Sequence, residues 1–425
     1  MKNQHGAIVV VDGFSMGALL AEELAQSRAC IHVLSNVRYL AKFRGGIIPA
    51  IYRSNHVFEA SLLDDLVDKL KTEGIVAVTA GSEWGVELAE LLAEKLDVPG
   101  NAPSTTSLRR DKFCMGMAAS AAGLAVAKQV QVSSSKEAMD WMRATSFDRV
   151  VAKPMASAAS DHVYICGSPE ELGHAVSRIL AASNVMLLKN ERVLIQEYLD
   201  GIEYVVNTVS DQSLHRVSEV WKVHKHLTAE GRNIYDFDDL CELDDADALA
   251  AVAYVRDLLP ILGVRFGAGH SEVMLTSRGV RLLETAARVS GAANPCAIRA
   301  ATGDDQIGLL VKLLTNRDGF LHGKMDYTRQ LHVRCVHLQV RRSRRFSHSR
   351  IQDFLSSLPT FSNIVFRAAD GVIVAPTVDV ATCPGAFFLV AADEPEIVRD
   401  YEAFREWELA SDTTSTSLSM GMGYA

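Results

Sequence analysis

The sequence predicts a mixed α/β and α+β protein that begins with a Rossmann-like parallel sheet and continues into antiparallel sheets. Three observations predict it. Strand-like and helix-like segments alternate through the first hundred residues. From residue 192 consecutive strand-like runs replace that alternation. At 425 residues the chain exceeds one ordinary core, so two or three domains are expected. The expected units are 1–102, 103–325 and 326–425, the middle one split into lobes at about 103–190 and 191–325.

Each element has its signal. "AIVVVD" (7–12) is a short apolar run ending in the turn residues "GFSMG", and "ALLAEELAQS" then takes helical period. "IHVLS" is a second strand, "LLDDLVDKLKTE" a helix, "GIVAVTAG" a buried strand and "WGVELAELLAEKL" an amphipathic helix. No GxGxxG follows these strands, so a dinucleotide fingerprint is not supported. "NAPSTTS" (101–107) marks a boundary. A helix "LRRDKFCMGMAASAA" follows, with Gly123 as its C-cap. Then come strand "AVAKQVQV", helix "SKEAMDWMRATS", strand "RVVAKP", strand "HVYIC" and helix "SPEELGHAVSRILAA". "RVLIQEYL", "EYVVNTVS" and "HRVSEVWKV" read as an antiparallel series, joined by helix "ADALAAVAYVRDLLPILG" and strands "SEVMLT" and "VRLLET". The last unit carries strands near 331–340, 363–367, 371–375 and 386–391, and the tail "SDTTSTSLSMGMGYA" reads as disordered.

Bulk properties narrow the function. The formal charge of −9 argues against non-specific nucleic-acid binding, and "RRSRR" (341–345) reads as a solvated loop. Seven scattered cysteines without a CxxC pair favour reduced thiols over a disulfide frame or zinc site. No signal-peptide pattern or membrane-length apolar run is present, so a cytoplasmic location with no membrane partner is expected. A homodimer is the commonest assembly for such chains.

Chemistry concentrates in "HSEVMLTSRGVRLLETAAR", which reads as a hairpin. A three-residue loop Ser277–Gly279 sets Thr276 against Val280 and Glu272 directly against Glu284. Carboxylates about 5 Å apart on one face repel unless a cation lies between them, and magnesium suits hard oxygen ligands. Arg288 follows on the face of Glu284 and can reach an anion held there. The alternative is a charged, solvent-facing sheet side. Lys153 ends a strand before the small-residue loop "MASAASD", which contains Ser157 and whose backbone N–H groups can close on phosphates. Alone, that lysine equally suits a solvated head on a buried stem. "QEYLDGIEYVV" offers hinge backbone groups for an adenine edge and Glu203 for ribose hydroxyls, or is merely a charged turn.

In this order, the segments "GSEWGVELAELLAEKLDVPGN", "RRDKFCM", "VVAKP", "VLIQEYLDGIEYVV", "HSEVMLTSRGVRLLETAAR" and "FRAADGVIVAPTVDVATCPGAFFLV" resemble the ATP-grasp superfamily. The likeness is to its carboxylate–amine ligases, nearest to bacterial L-amino acid ligases that make dipeptides. It implies an ATP-grasp fold, ATP as substrate, two magnesium ions and small amino acid substrates. It implies phosphate contacts for Lys112, Lys153 and Ser157. Gln196 would meet the adenine amino group, with Glu197, Tyr198 and Leu199 in the hinge and Glu203 on the ribose. Glu272 and Glu284 become metal ligands, and Arg288 stabilises the transferring phosphoryl group and tetrahedral intermediate. Two departures stand out: Ala286 occupies a position where many relatives carry a metal-binding Asn, and "MASAASD" lacks glycine.

An acyl phosphate must be kept from water, which calls for a lid. The candidates are 155–162 and the insertion 221–239 with Trp221, unless these are ordinary mobile loops. Glu83, after a strand end, could hold a substrate amine or be a helix first-turn acid. His270 could line the substrate site or be a core histidine. Ser290 and Gly291 could offer backbone N–H groups to a substrate carboxylate. Two other functions stay open: joining a non-amino-acid carboxylate to an amino acid, and a nucleotide-binding regulatory role favoured only by Ala286.

Overall fold

The computed structural model describes residues 6–39, 49–157, 161–228, 233–291 and 294–414. Strands β1 (Ala7–Val11), β2 (Cys30–Leu34), β3 (Ser54–Val57) and β4 (Ile75–Ala80) form a parallel sheet in the order β3-β2-β1-β4. Helices Met16–Ala25, Leu63–Thr72 and Val86–Lys95 flank it. The strand order reverses beside β1, where open α/β sheets form a ligand crevice. The loops after β1 and β4 meet there backbone to backbone: a Cβ on Gly81 would lie 2.6 Å from Gly13 Cα.

Strands β5 (Gln129–Val132), β6 (Val150–Pro154), β7 (Tyr164–Cys166) and β8 (Val193–Glu197) make an antiparallel sheet in the order β5-β8-β6-β7. Helices Ser135–Thr145 and Pro169–Ala181 pack on it, capped by Ser134 and Ser168. The helix expected over 108–122 is two helices, Ser107–Arg110 and Lys112–Ala121. Asp111 breaks it because its carboxylate accepts the Phe113 and Cys114 N–H groups as an N-cap, which sets Lys112 at the start of the second helix.

The largest sheet has eight strands in the order β13-β12-β9-β10-β11-β14-β18-β16. They are β9 (Gly201–Asp211), β10 (Leu214–Leu227), β11 (Asn233–Leu240), β12 (Phe266–Thr276), β13 (Gly279–Ala286), β14 (His332–His337), β16 (Phe361–Phe366) and β18 (Gly385–Ala391). The short strands β15 (Arg344–Arg345) and β17 (Ile373–Val374) pair separately. Helix Ala246–Ile261 buries one face through Tyr204, Val206, Val217, Val220 and Val273. Leu310 and Leu313 share a core with Leu20 and Leu24, which ties this sheet to the N-terminal one.

Three expectations change. The insertion 221–239 is not irregular: it belongs to the antiparallel pair β10–β11, with residues 229–232 outside those described. Its charged residues alternate along a strand instead of breaking it. The helix Glu394–Thr414 carries 411–414, expected as disordered tail; Ser411 is buried and its hydroxyl accepts from Arg350 Nη2 at 3.2 Å. The hairpin β12–β13 closes through two residues, with Thr276 opposite Gly279. That register alone would set Leu283 against Glu272; a bulge at Leu283 restores the Glu272–Glu284 pair. Another bulge, at Ser218, shifts β10 against β9 so that Glu219 faces Asn207. Among the described residues no helix is long and apolar enough to cross a membrane.

Candidate active site

The second face of the eight-stranded sheet floors a cavity of about 640 Å³. Residues from the β5–β8 sheet and the loops after β1 and β4 wall it. All the sequence candidates line it: Glu83, Lys112, Lys153, Ser157, Gln196, Glu197, Tyr198, Leu199, Glu203, Trp221, His270, Glu272, Glu284, Arg288, Ser290 and Gly291.

Glu272 and Glu284 are directly paired, and their side chains remain 33% and 25% exposed, so their oxygens open into the cavity. Cations gather around them. Lys112 Nζ lies 3.0 Å from Glu284 Oε1 and donates to the Ser157 carbonyl at 2.9 Å. His270 Nε2 lies 3.4 Å from Glu272 Oε1. Burial pushes the Glu272 carboxyl up, but His270, Arg288 and Lys225 outweigh it and hold it at about 2. Opposed hard-oxygen donors that draw in positive charge fit a magnesium ion. Ala286 is buried across the hairpin from His270.

The nucleotide candidates cluster on the neighbouring wall. Lys153 is buried on β6, and burial, followed by the nearby Lys112 charge, lowers it to about 8. Gln196 Nε2 donates to Gln129 Oε1 at 2.9 Å. In the hinge, the Glu197 and Tyr198 N–H groups are bonded to the Lys128 and Arg149 carbonyls, while the Leu199 N–H has no partner among the described residues. The Glu197 carboxylate accepts from Arg278 at 2.6 Å. Glu203 is ion-paired with Lys225. Ser157 Oγ donates to Asp161 Oδ2 at 2.7 Å; the rest of its loop, 158–160, lies outside the described residues.

On the substrate side the structure revises three expectations. β13 ends at Ala286, so Arg288 stands beyond the strand and does not continue its face. It is held instead by Glu83 Oε2 at 3.0 Å and the Val289 carbonyl at 3.1 Å. Glu83, expected to hold a substrate amine, gives its other oxygen to Arg110, so both oxygens are engaged by guanidiniums. The Ser290 N–H, expected to meet a substrate carboxylate, donates to Gln306 Oε1 at 2.7 Å. Gly291 lines the cavity with open space around its Cα. Trp221 packs edge-on against Phe388 as part of the floor.

An ATP-grasp domain profile matches residues 147–296. Dapdiamide A synthase of Enterobacter agglomerans is 30% identical over 415 residues, which cover 94% of this chain and 97% of that protein. The chain belongs to the ATP-grasp carboxylate–amine ligases. The L-amino acid ligase from Bacillus licheniformis shares the fold of this ligase, with a TM-score of 0.77 at 16% identity over 95% and 98% of the two chains. N5-carboxyaminoimidazole ribonucleotide synthetase, solved with ADP, gives 0.70 at 14% identity over 95% and 97%.

Sequence reasoning missed several residues of this ATP-grasp cavity. Arg110, beside Arg109 in "RRDK", passes for a helix surface charge, though it pairs with Glu83 of the cavity wall; Glu219 sits in "HRVSEVWKV", read as a strand with no role for its carboxylate, and Lys225 in the stretch taken as an insertion. Their signal was the two-residue spacing Glu219, Trp221, Val223, Lys225, all on the cavity wall.

Proposed function

We propose that this ligase phosphorylates a carboxylate with magnesium-ATP and passes the acyl group to the amine of an amino acid, giving a dipeptide, ADP and phosphate. The observation that carries the reading is Arg288, fixed beside the opposed Glu272–Glu284 pair in a cavity that continues past them across the sheet. The end-to-end likeness to dapdiamide A synthase supports it.

Gln196, with one amide N–H given to Gln129, keeps a carbonyl oxygen to accept from an adenine amino group. The Leu199 N–H serves the ring edge, and Glu203 with Lys225 meets the ribose. Lys112 and Lys153 neutralise phosphate oxygens. Glu272 and Glu284 would hold magnesium, which supplies positive charge against the triphosphate. A substrate carboxylate oxygen attacks the γ-phosphorus and ADP leaves. The amine then attacks the acyl carbon, phosphate leaves and one proton is released. Arg288 stabilises charge in both steps, and the β5–β8 sheet over the cavity excludes water.

A second reading, in which the activated acid lacks a free α-amine, is favoured by one observation: the Glu83 charge is already matched by two guanidiniums, one on each oxygen. Purified protein with magnesium-ATP and pairs of amino acids, or a dicarboxylic acid with an amino acid, tests both. Phosphate release and product mass are read together. No pair-dependent phosphate release would refute the ligase assignment of substrates. The setting proposed is cytoplasmic.

A further inference from the structure

Glu219 has no part in the scheme above. It is fully buried on β10, yet it lines the cavity. Its position depends on the Ser218 bulge. Without that extra residue, Val217 opposite Thr208 would leave Glu219 opposite Val206, on the core face. The bulge turns a carboxylate out of the core and into the cavity.

There Glu219 begins a line of contacts across three strands. Asn207 Nδ2 donates to Glu219 Oε1 at 2.8 Å, Asn207 Oδ1 lies 2.7 Å from His270 Nδ1, and His270 Nε2 lies 3.4 Å from Glu272. Glu219 Oε2 meets no partner at hydrogen-bond geometry among the described residues, the Trp221 indole beside the carboxylate being its one polar neighbour besides Asn207 to lower it, and Glu219 has no ion pair among them. A buried carboxylate oxygen left open on a cavity wall is costly unless something arrives to bond it.

We propose that Glu219 binds the ammonium of the acceptor amino acid and takes its proton for attack on the acyl phosphate. This rests on the reading given under Proposed function. Glu219 stands two strand spacings across and two residues along from Glu272, or about 12 Å between Cα atoms. Both side chains reach inward, which leaves room between them for an acyl phosphate and an amine. The proton moves from the ammonium nitrogen to Glu219 Oε2. The freed lone pair forms the C–N bond, the C–O bond to phosphate breaks with its electrons leaving on phosphate, and the departing phosphate takes the second proton that the nitrogen sheds in becoming an amide. Burial, reinforced by Asp305, outweighs the Asn207 and Trp221 hydrogen bonds and raises the carboxyl to about 8 in the empty cavity; an ammonium seated against it favours the ionised form, whose basicity then suits proton transfer from an amine. The other titratable neighbours are Tyr327, which feels its charge, and His270 through Asn207.

The test separates the half-reactions. Hydroxylamine is uncharged at neutral pH and traps an acyl phosphate as a hydroxamate without needing a base. Wild type, Glu219→Gln and Glu219→Asp are given magnesium-ATP, a carboxylate that yields hydroxamate with the wild type, and either hydroxylamine or an amino acid. Glu219→Gln should keep hydroxamate formation within about twofold and lose amide formation by on the order of 10²-fold or more. The lost rate should return as pH rises and the free amine deprotonates in solution, and Glu219→Asp should restore part of it. An amide-to-hydroxamate ratio equal to wild type overturns the proposal, and so does loss of both products in step. Absence of hydroxamate from the wild type with every carboxylate sinks the ligase reading itself, a distinct result.

Discussion

Replacing Glu83 by glutamine removes the one negative charge between two guanidiniums while keeping the shape. Glu83 is 6% exposed, and the side chains of Arg110 and Arg288 are 9% and 15% exposed. Breaking a buried pair from one side costs about 3–5 kcal/mol. The cost is not doubled, because one carboxylate serves both arginines and the two losses are coupled. Arg110 keeps Glu87 at 3.7 Å, but that side chain is 68% exposed and the pair recovers at most about 1 kcal/mol. A net loss of about 3 kcal/mol follows. Burial pushes the Glu83 carboxyl up, and Arg110, Arg288 and Lys112 outweigh it, so it sits below its ordinary value of 4.5. Its contribution is therefore complete above pH 4.5 and is lost as pH falls through the folded value. The gap between wild type and variant in urea unfolding, followed by tryptophan fluorescence with Trp84 adjacent, should be full at pH 7 and shrink in acid. Arg288, freed from Glu83, can turn to Glu272, whose carboxyl already feels its charge, so the magnesium concentration for half-maximal phosphate release should rise. A variant with the wild-type urea midpoint and the wild-type magnesium dependence would refute the reasoning.

Three further outcomes are expected. Glu272→Gln or Glu284→Gln should abolish phosphate release and leave the circular dichroism spectrum unchanged; normal turnover would remove either residue from the metal site. Arg288→Ala should lower turnover by on the order of 10²–10³ with little change in ATP affinity, and Arg288→Lys should recover little because it cannot make the two-pronged contact. Proportional loss of ATP binding would assign Arg288 to the ground state. Lys153, lowered to about 8 by burial, loses its charge as pH rises through that value, so ATP should bind more weakly at pH 9 than at pH 7, with proton uptake on binding. Lys153→Met should bind weakly and lack that slope; an unchanged slope would assign it to another group.

The parallel sheet was legible because its strands are apolar runs ending in turn residues, except β3, whose "SNHV" is a polar edge strand that hydropathy does not mark. The candidate nucleotide residues were named through resemblance and the candidate metal pair first through the hairpin, and the structure brings them to one cavity. The continuity of β11 into β14 was not legible, since it pairs Phe237 with Val336 across a hundred residues of chain and depends on packing that no local pattern encodes. Arg288 was aimed wrongly because a strand-face count was carried past the end of β13, where Glu83 from a distant loop takes over.

Glu284 and Glu219 show why the cavity face resists counting. A period-two reading assigns each to a face by parity from its buried neighbours. Val217 and Val220 both lie in the core under helix Ala246–Ile261, yet they are three apart, and so are the buried Leu282 and Thr285. Odd spacing between residues of one face requires an extra residue in the strand, and Ser218 and Leu283 are those residues. In both strands the residue next to the extra one is a glutamate turned toward the cavity. In the proposed reaction Glu284 would stand where charge on phosphate is met, and Glu219 where charge on an incoming amine is met. The bulges were therefore readable in principle, as a parity break in the apolar pattern beside an acidic residue.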